Sequence, residues 1–114
     1  MTGRSSMDRS EFLKLADDCL EHVTAWLEQF DPDEVDFFGA DGVLKIEFPD
    51  GTTYVLNRQT AADQMWLAAG VRAWHYDRRG GAWCDDRDGH GLETRISEVI
   101  SKKLGREVRL AGLA

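Results

Sequence analysis

Val43-Leu44-Lys45-Ile46-Glu47-Phe48-Pro49-Asp50-Gly51-Thr52-Thr53-Tyr54-Val55-Leu56-Asn57-Arg58 decides the fold of this 114-residue chain. Its first six residues alternate, with Leu44, Ile46 and Phe48 on one face and Lys45 and Glu47 on the other. A period of two is the pattern of a half-buried strand. Pro49-Asp50-Gly51-Thr52 predicts a hairpin turn, because Asp-Gly tolerates the positive φ that such turns need. Residues 53–58 then pair back on the first strand. The core of the protein is therefore an antiparallel sheet.

Further strands lie on both sides. Val35-Asp36-Phe37-Phe38 is a short candidate before the hairpin. After it come Gln64-Met65-Trp66-Leu67-Ala68 and Arg72-Ala73-Trp74-His75-Tyr76-Asp77, then a turn at residues 78–81, then Ala82-Trp83-Cys84-Asp85. Short connections predict a meander. Two helices flank it. Over residues 10–30, Phe12, Ala16, Cys19, Leu20, Val23, Leu27 and Phe30 share a stripe about 100° wide. Ser10 or Asp8 suits the cap, and Pro32 opposes continuation. Over residues 92–104, Leu92, Ile96, Val99, Ile100 and Leu104 form an inner face, with Gly105 as the stop and Lys102 and Lys103 at the negative helix end. Helix, strands, helix is an α+β order. The expectation is a two-layer sandwich with both helices on one face of the sheet, one domain over residues 10–114, and a flexible polar tail over residues 1–9.

The net charge of −7 is unevenly placed. Residues 1–41 hold eleven acids and three bases; residues 42–114 hold ten acids and eleven bases. A field so localised disfavours nucleic acid and favours cations or a basic protein partner. No apolar run nears the roughly 20 residues that span a bilayer, and the start lacks a signal-peptide apolar region, so the expected address is cytoplasmic. Cys19 and Cys84 form no CxxC and read as free thiols.

Asp17, Glu21 and Glu28 project within about 40° of one another, opposite the apolar stripe. Asp18 and His22 flank them, four residues apart on consecutive turns. Asp31, Asp33, Glu34 and Asp36 follow on the way into the first strand. Such a ridge is either a solvated face or a place for hard cations, which relieve the repulsion among carboxylates. There is no EF-hand loop and no His/Cys quartet, so any binding is expected to be weak and shared among sites. Trp66 alternates with Met65 and Leu67. If those two face the helices, Trp66 lies on the open sheet face, with Gln64 beside it and Asn57 nearby. It then serves as a protein-binding anchor or packs on its neighbours. His75 shares a strand face with Asp77, and His90 sits in a turn without an assigned role. Asp86-Arg87-Asp88-Gly89 matches a calcium loop only weakly, since the closing Glu is missing. No serine, cysteine or lysine has a readable catalytic partner, so the chain is not expected to be an enzyme.

Leu56-Asn57-Arg58-Gln59 followed by Gln64-Met65-Trp66-Leu67-Ala68 resembles the central motif of the frataxin family, in its bacterial form. Glu11-Phe12 with Leu15-Ala16-Asp17, Asp41-Gly42-Val43-Leu44, Phe48 with Gly51-Thr52, His75-Tyr76-Asp77, Trp83 and Asp88-Gly89 extend the resemblance over residues 10–110. It implies iron, Fe(II) or Fe(III), bound weakly on an acidic ridge of the first helix and first strand. It also implies service in iron–sulfur cluster assembly beside a cysteine desulfurase and a scaffold protein. Asp17, Asp18, Glu28 and Asp36 fall on acidic positions of the family, Glu21 lies within the ridge, and Asn57, Gln64 and Trp66 match the partner-contacting motif. Thr24, Ala25 and Gln29 stand where relatives often carry acids, and His22 is an addition. The roles left open are iron donor, iron-dependent regulator of the desulfurase and, behind these, ferroxidase. A monomer that associates when iron is in excess is expected.

Overall fold

The computed structural model describes residues 8–113. Helix α1 (Arg9–Leu27) is followed by strands β1 (Asp36–Ala40), β2 (Val43–Glu47) and β3 (Thr53–Gln59). A 3₁₀ turn over Thr60–Ala62 leads to β4 (Gln64–Ala69), β5 (Arg72–Arg79), β6 (Ala82–Asp85) and helix α2 (Leu92–Leu104). The six strands form one antiparallel sheet in sequence order. The helices cover one face, giving the expected α+β sandwich.

Alternation fixes which side chains meet the helices. Leu44 and Ile46 are buried and Lys45 and Glu47 exposed, as the hairpin sequence requires. In β4, Met65 and Leu67 are buried at 0% and 1% exposure, so Trp66 lies on the open face. Phe12, Ala16, Cys19, Val23 and Leu27 of α1 and Leu92, Ile96 and Ile100 of α2 close the core from the other side. Each large side chain so buried contributes roughly 1.5–3 kcal/mol.

Asp8 caps α1 by accepting the Glu11 N–H at 2.8 Å, and that bond, with the Ser10 hydroxyl, holds its carboxyl below the usual range. The N-terminal segment over residues 1–7 lies outside the described residues. Helix α1 stops at Leu27, three residues short of the expected end. The Gln29 and Phe30 N–H groups bond three residues back, to the Trp26 and Leu27 carbonyls, and this tighter turn ends the helix before Pro32. Phe30 nonetheless stays in the core, edge-on to Trp26. Strand β1 begins one residue later than Val35 and extends to Ala40, because pairing with β2 carries Gly39 and Ala40 along. Helix α2 matches its expected span and ends on Gly105, whose φ of 73° a side chain would resist.

Beyond α2 the chain returns across both helices, a feature the sequence pattern does not announce. Trp26 Nε1 donates to the Arg109 carbonyl at 2.9 Å, and Ser101 and Ser97 hydroxyls accept the Val108 and Leu110 N–H groups. Leu110 and Leu113 are buried. No helix among the described residues is long and apolar enough to cross a membrane.

Candidate functional site: an acidic groove and an open sheet face

The polar side of α1 faces the β1–β2 hairpin across a groove of about 500 Å³. Asp17, Glu21 and Glu28 line it from the helix, and Asp41 lines it from the hairpin turn. Leu20, Phe37, Val43 and Leu44 form the apolar part of the lining. The turn takes this shape because Asp41 and Gly42 adopt φ of 54° and 79°, in the left-handed region.

The sequence-predicted acids do not form one set. Asp17 pairs with Arg58 at 2.5 Å, and Asp18 pairs with Lys14 one turn away at 3.1 Å. Glu21 and Glu28 are exposed and, among the described residues, make no ion pair. Asp31 accepts the Asp33 N–H at 2.9 Å and so shapes the turn after α1, with Asp33 exposed beside it. Glu34 pairs with Arg106, which holds its carboxyl below the usual range. Asp36 is exposed, directly opposite Glu47, and points to the open face, because the adjacent Phe37 points to the core. His22 is exposed, with Nε2 2.8 Å from the Ala111 carbonyl. The groove therefore gathers Asp17, Glu21, Glu28 and an acid that pattern reading missed, Asp41.

Chemically, these are spaced oxygen donors open to water. Glu21 and Glu28 are seven residues apart, about 10 Å along the axis. Hard cations take oxygen ligands of this kind, and the donor set suits weak, exchangeable binding better than a cage.

The open face carries the second constellation. Asn57, Trp66 and His75 are cross-strand neighbours on β3, β4 and β5, and Gln59, Gln64, Asp77 and Cys84 form the adjacent row. Trp66 Nε1 donates to Gln64 Oε1 at 2.9 Å, and Gln64 Nε2 donates to Asp77 and Asp86. Asn57 Nδ2 donates to the Arg58 carbonyl at 3.0 Å. Both cysteines are free; Cys19 is buried, which pushes its thiol up to about 12.

Among the described residues, Asp85, Asp88 and His90 are the acids and histidine whose ligand atoms converge within 4.8 Å. Their bonds explain them without a metal. Asp85, 3% exposed, accepts the Arg87 and Asp88 N–H groups. His90 Nδ1 donates to Asp88 at 2.5 Å, while Nε2 accepts from the Tyr76 hydroxyl at 2.8 Å and faces Arg95 Nε at 3.1 Å. Burial raises the Tyr76 phenol above its usual value, so it stays a donor. Both ring nitrogens are engaged, and the cluster locks the loop into α2.

A family model described as a frataxin-like domain matches residues 5–106. The chain belongs to the frataxin family. Among curated frataxins, the iron-sulfur cluster assembly protein CyaY of Dechloromonas aromatica is 37% identical over 105 residues, covering 91% of this chain and 99% of that protein. Frataxin from Psychromonas ingrahamii superposes with a TM-score of 0.84 at 33% identity, over 93% of this chain and 100% of that one. The trimeric frataxin of Saccharomyces cerevisiae complexed with ferrous iron superposes with a TM-score of 0.71 at 28% identity, over 93% and 94% of the two chains. The groove and the Asn57–Trp66–His75 row of this chain thus sit on a frataxin fold.

Proposed function

We propose that this frataxin binds iron weakly along the α1 groove and serves iron–sulfur cluster assembly in the cytoplasm without a catalytic centre of its own. Its open sheet face docks on a cysteine desulfurase and the cluster scaffold, and its acids attract their basic surfaces. The observation that carries this reading is the groove itself. Glu21 and Glu28 stand exposed beside Asp17 and Asp41, a set of oxygen donors from two elements aimed at one space. Support comes from two relatives: one is named an iron-sulfur cluster assembly protein, and the yeast frataxin binds ferrous iron. Asp31, Asp33 and Asp36 extend the negative field and offer outlying sites for excess iron. The protein works as a monomer at low iron and associates when iron is abundant.

A second reading, an iron-dependent regulator of the desulfurase, is favoured by the open face. There Trp66 is held rigidly by Gln64 and His75, as suits a docking anchor. Donor and regulator differ in what iron changes, namely cargo delivered or docking strength. Ferroxidase chemistry ranks below both, since Glu21 and Glu28 are exposed and the groove lacks the paired Glu-x-x-His arrangement of buried di-iron bundles.

The test is anaerobic Fe(II) calorimetry on the wild type and on the variant carrying Asp17→Asn, Asp18→Asn and Glu21→Gln. The expected result is weaker iron binding and weaker docking to the desulfurase. Unchanged iron affinity would remove the ridge assignment.

A further inference from the structure

We infer that Arg58 is a built-in counter-cation of the α1 groove, one that holds Asp17 in the iron-free protein and competes with an incoming divalent ion. This inference rests on the groove reading above and concerns how that groove is regulated.

Strand parity places the arginine. Leu56 of β3 is fully buried, so Arg58, two residues on, also points to the helix side, while Asn57 between them points to the open face. The hairpin turn leaves room for its passage. The Arg58 N–H donates to the Gly42 carbonyl at 2.9 Å, and its side chain lies across Gly42 itself. A Cβ at residue 42 would sit 2.7, 2.8 and 2.9 Å from Arg58 Nε, Cζ and Cγ. Glycine at this position therefore does two things: it supplies the left-handed turn and it opens the path by which the guanidinium reaches α1. The path ends at Asp17 Oδ1, 2.5 Å from Nη1.

This pair differs from the neighbouring Lys14–Asp18 pair. Lys14 is 77% exposed and lies on the same helix, where solvent screens it. Arg58 is 29% exposed and comes from the sheet, so its charge is held beside the groove. A guanidinium keeps its charge at any physiological pH, so acid does not release it. A cation entering beside Asp17 meets a fixed positive charge and must share or displace it. The consequence is a groove tuned for weak, reversible occupancy, as a protein that hands its metal on requires. Coulomb repulsion between a divalent ion and one guanidinium at this range, in a watery groove, corresponds to about three- to tenfold in affinity.

The test is anaerobic Fe(II) calorimetry on wild type, Arg58→Gln, Arg58→Met and Arg58→Lys, with a melting temperature for each. Arg58→Met keeps the aliphatic stem over Gly42, so the comparison survives if Arg58→Gln folds poorly. The expected result is about three- to tenfold tighter iron binding by both neutral variants, a gap that narrows as salt is raised, and near wild-type affinity for Arg58→Lys. If Arg58 only braces α1 against the sheet, the neutral variants melt earlier and bind iron as the wild type does, which overturns the inference. A wild type that takes up no iron would remove the groove reading itself, and is seen before any variant is made.

Discussion

Trp66 lies flat against His75, with ring centroids 4.3 Å apart and 18° between the planes. The two residues are directly opposite on β4 and β5, and Gln64 accepts the indole N–H. An aromatic ring already fixed in place loses little entropy on binding. Trp66→Ala is therefore expected to leave iron binding intact and to cost about 2 kcal/mol of docking affinity for the desulfurase. Calorimetry with purified desulfurase reads the difference; an unchanged affinity would take Trp66 out of the interface.

Phe12 meets Trp83 edge-on, with centroids 6.1 Å apart, and is fully buried. It joins the start of α1 to the last strand. Phe12→Ala is expected to destabilise the fold by about 3–5 kcal/mol, the cost of removing a fully buried phenyl ring and leaving a cavity. Chemical denaturation measures this; a loss under about 1 kcal/mol would mean that the first turn of α1 is not part of the cooperative unit.

His90 satisfies the buried Tyr76 hydroxyl and bonds Asp88 with its other nitrogen. His90→Ala leaves that hydroxyl without its partner, at a cost of about 1–3 kcal/mol, whereas Tyr76→Phe removes the group and costs less. Melting curves of the two variants order them. Equal or reversed losses would contradict the network.

Stability should fall on both sides of neutral pH. The Asp50 carboxyl is held low by Lys103 and by the hydroxyl and N–H of Thr52, Glu34 by Arg106, and Asp88 by the His90 N–H and ring. Each folded pKa lies below its ordinary value of 3.8 or 4.5, so their contribution is full above those values and is lost as pH falls through the lower, folded ones. Cys19 has the opposite sign. Burial raises its thiol from 9.0 to about 12, so its contribution is full below pH 9.0 and is lost toward 12. Melting temperature against pH is expected to drop at both ends, with Asp50→Asn flattening the acid limb and Cys19→Ala the alkaline one. Limbs unaffected by these changes would contradict the assignments.

Much of the fold was legible because periodicity is a burial signal. The alternation of residues 43–48 placed Leu44 and Ile46 inward, and the spacing of Leu92, Ile96 and Ile100 gave the span of α2. The end of α1 was misjudged because Phe30 stays on the apolar stripe after the backbone has left the helix. The return of residues 106–113 across the helices was not legible, since Ser97, Ser101 and Trp26 hold it by hydrogen bonds that leave no pattern. At the site, helix geometry brought Asp17, Glu21 and Glu28 together, but Asp41 joins them only through the sheet. Arg58 shares the parity of Leu56, a signal hidden by its place in a recognisable motif. His90, in the loop before α2, finds Tyr76 on β5 fourteen residues away, beyond any local reading.

The central claim is that the α1 groove is where iron binds. The most direct measurement is an anaerobic NMR titration with Fe(II), following which backbone amides broaden first. The account predicts broadening confined to the two walls of the groove, residues 17–28 of α1 and the facing residues 37–44, strongest near Glu21 and Glu28. Broadening elsewhere, at residues 85–90 for example, or no selective broadening at all, would contradict it and leave docking by the open sheet face as the protein's main work.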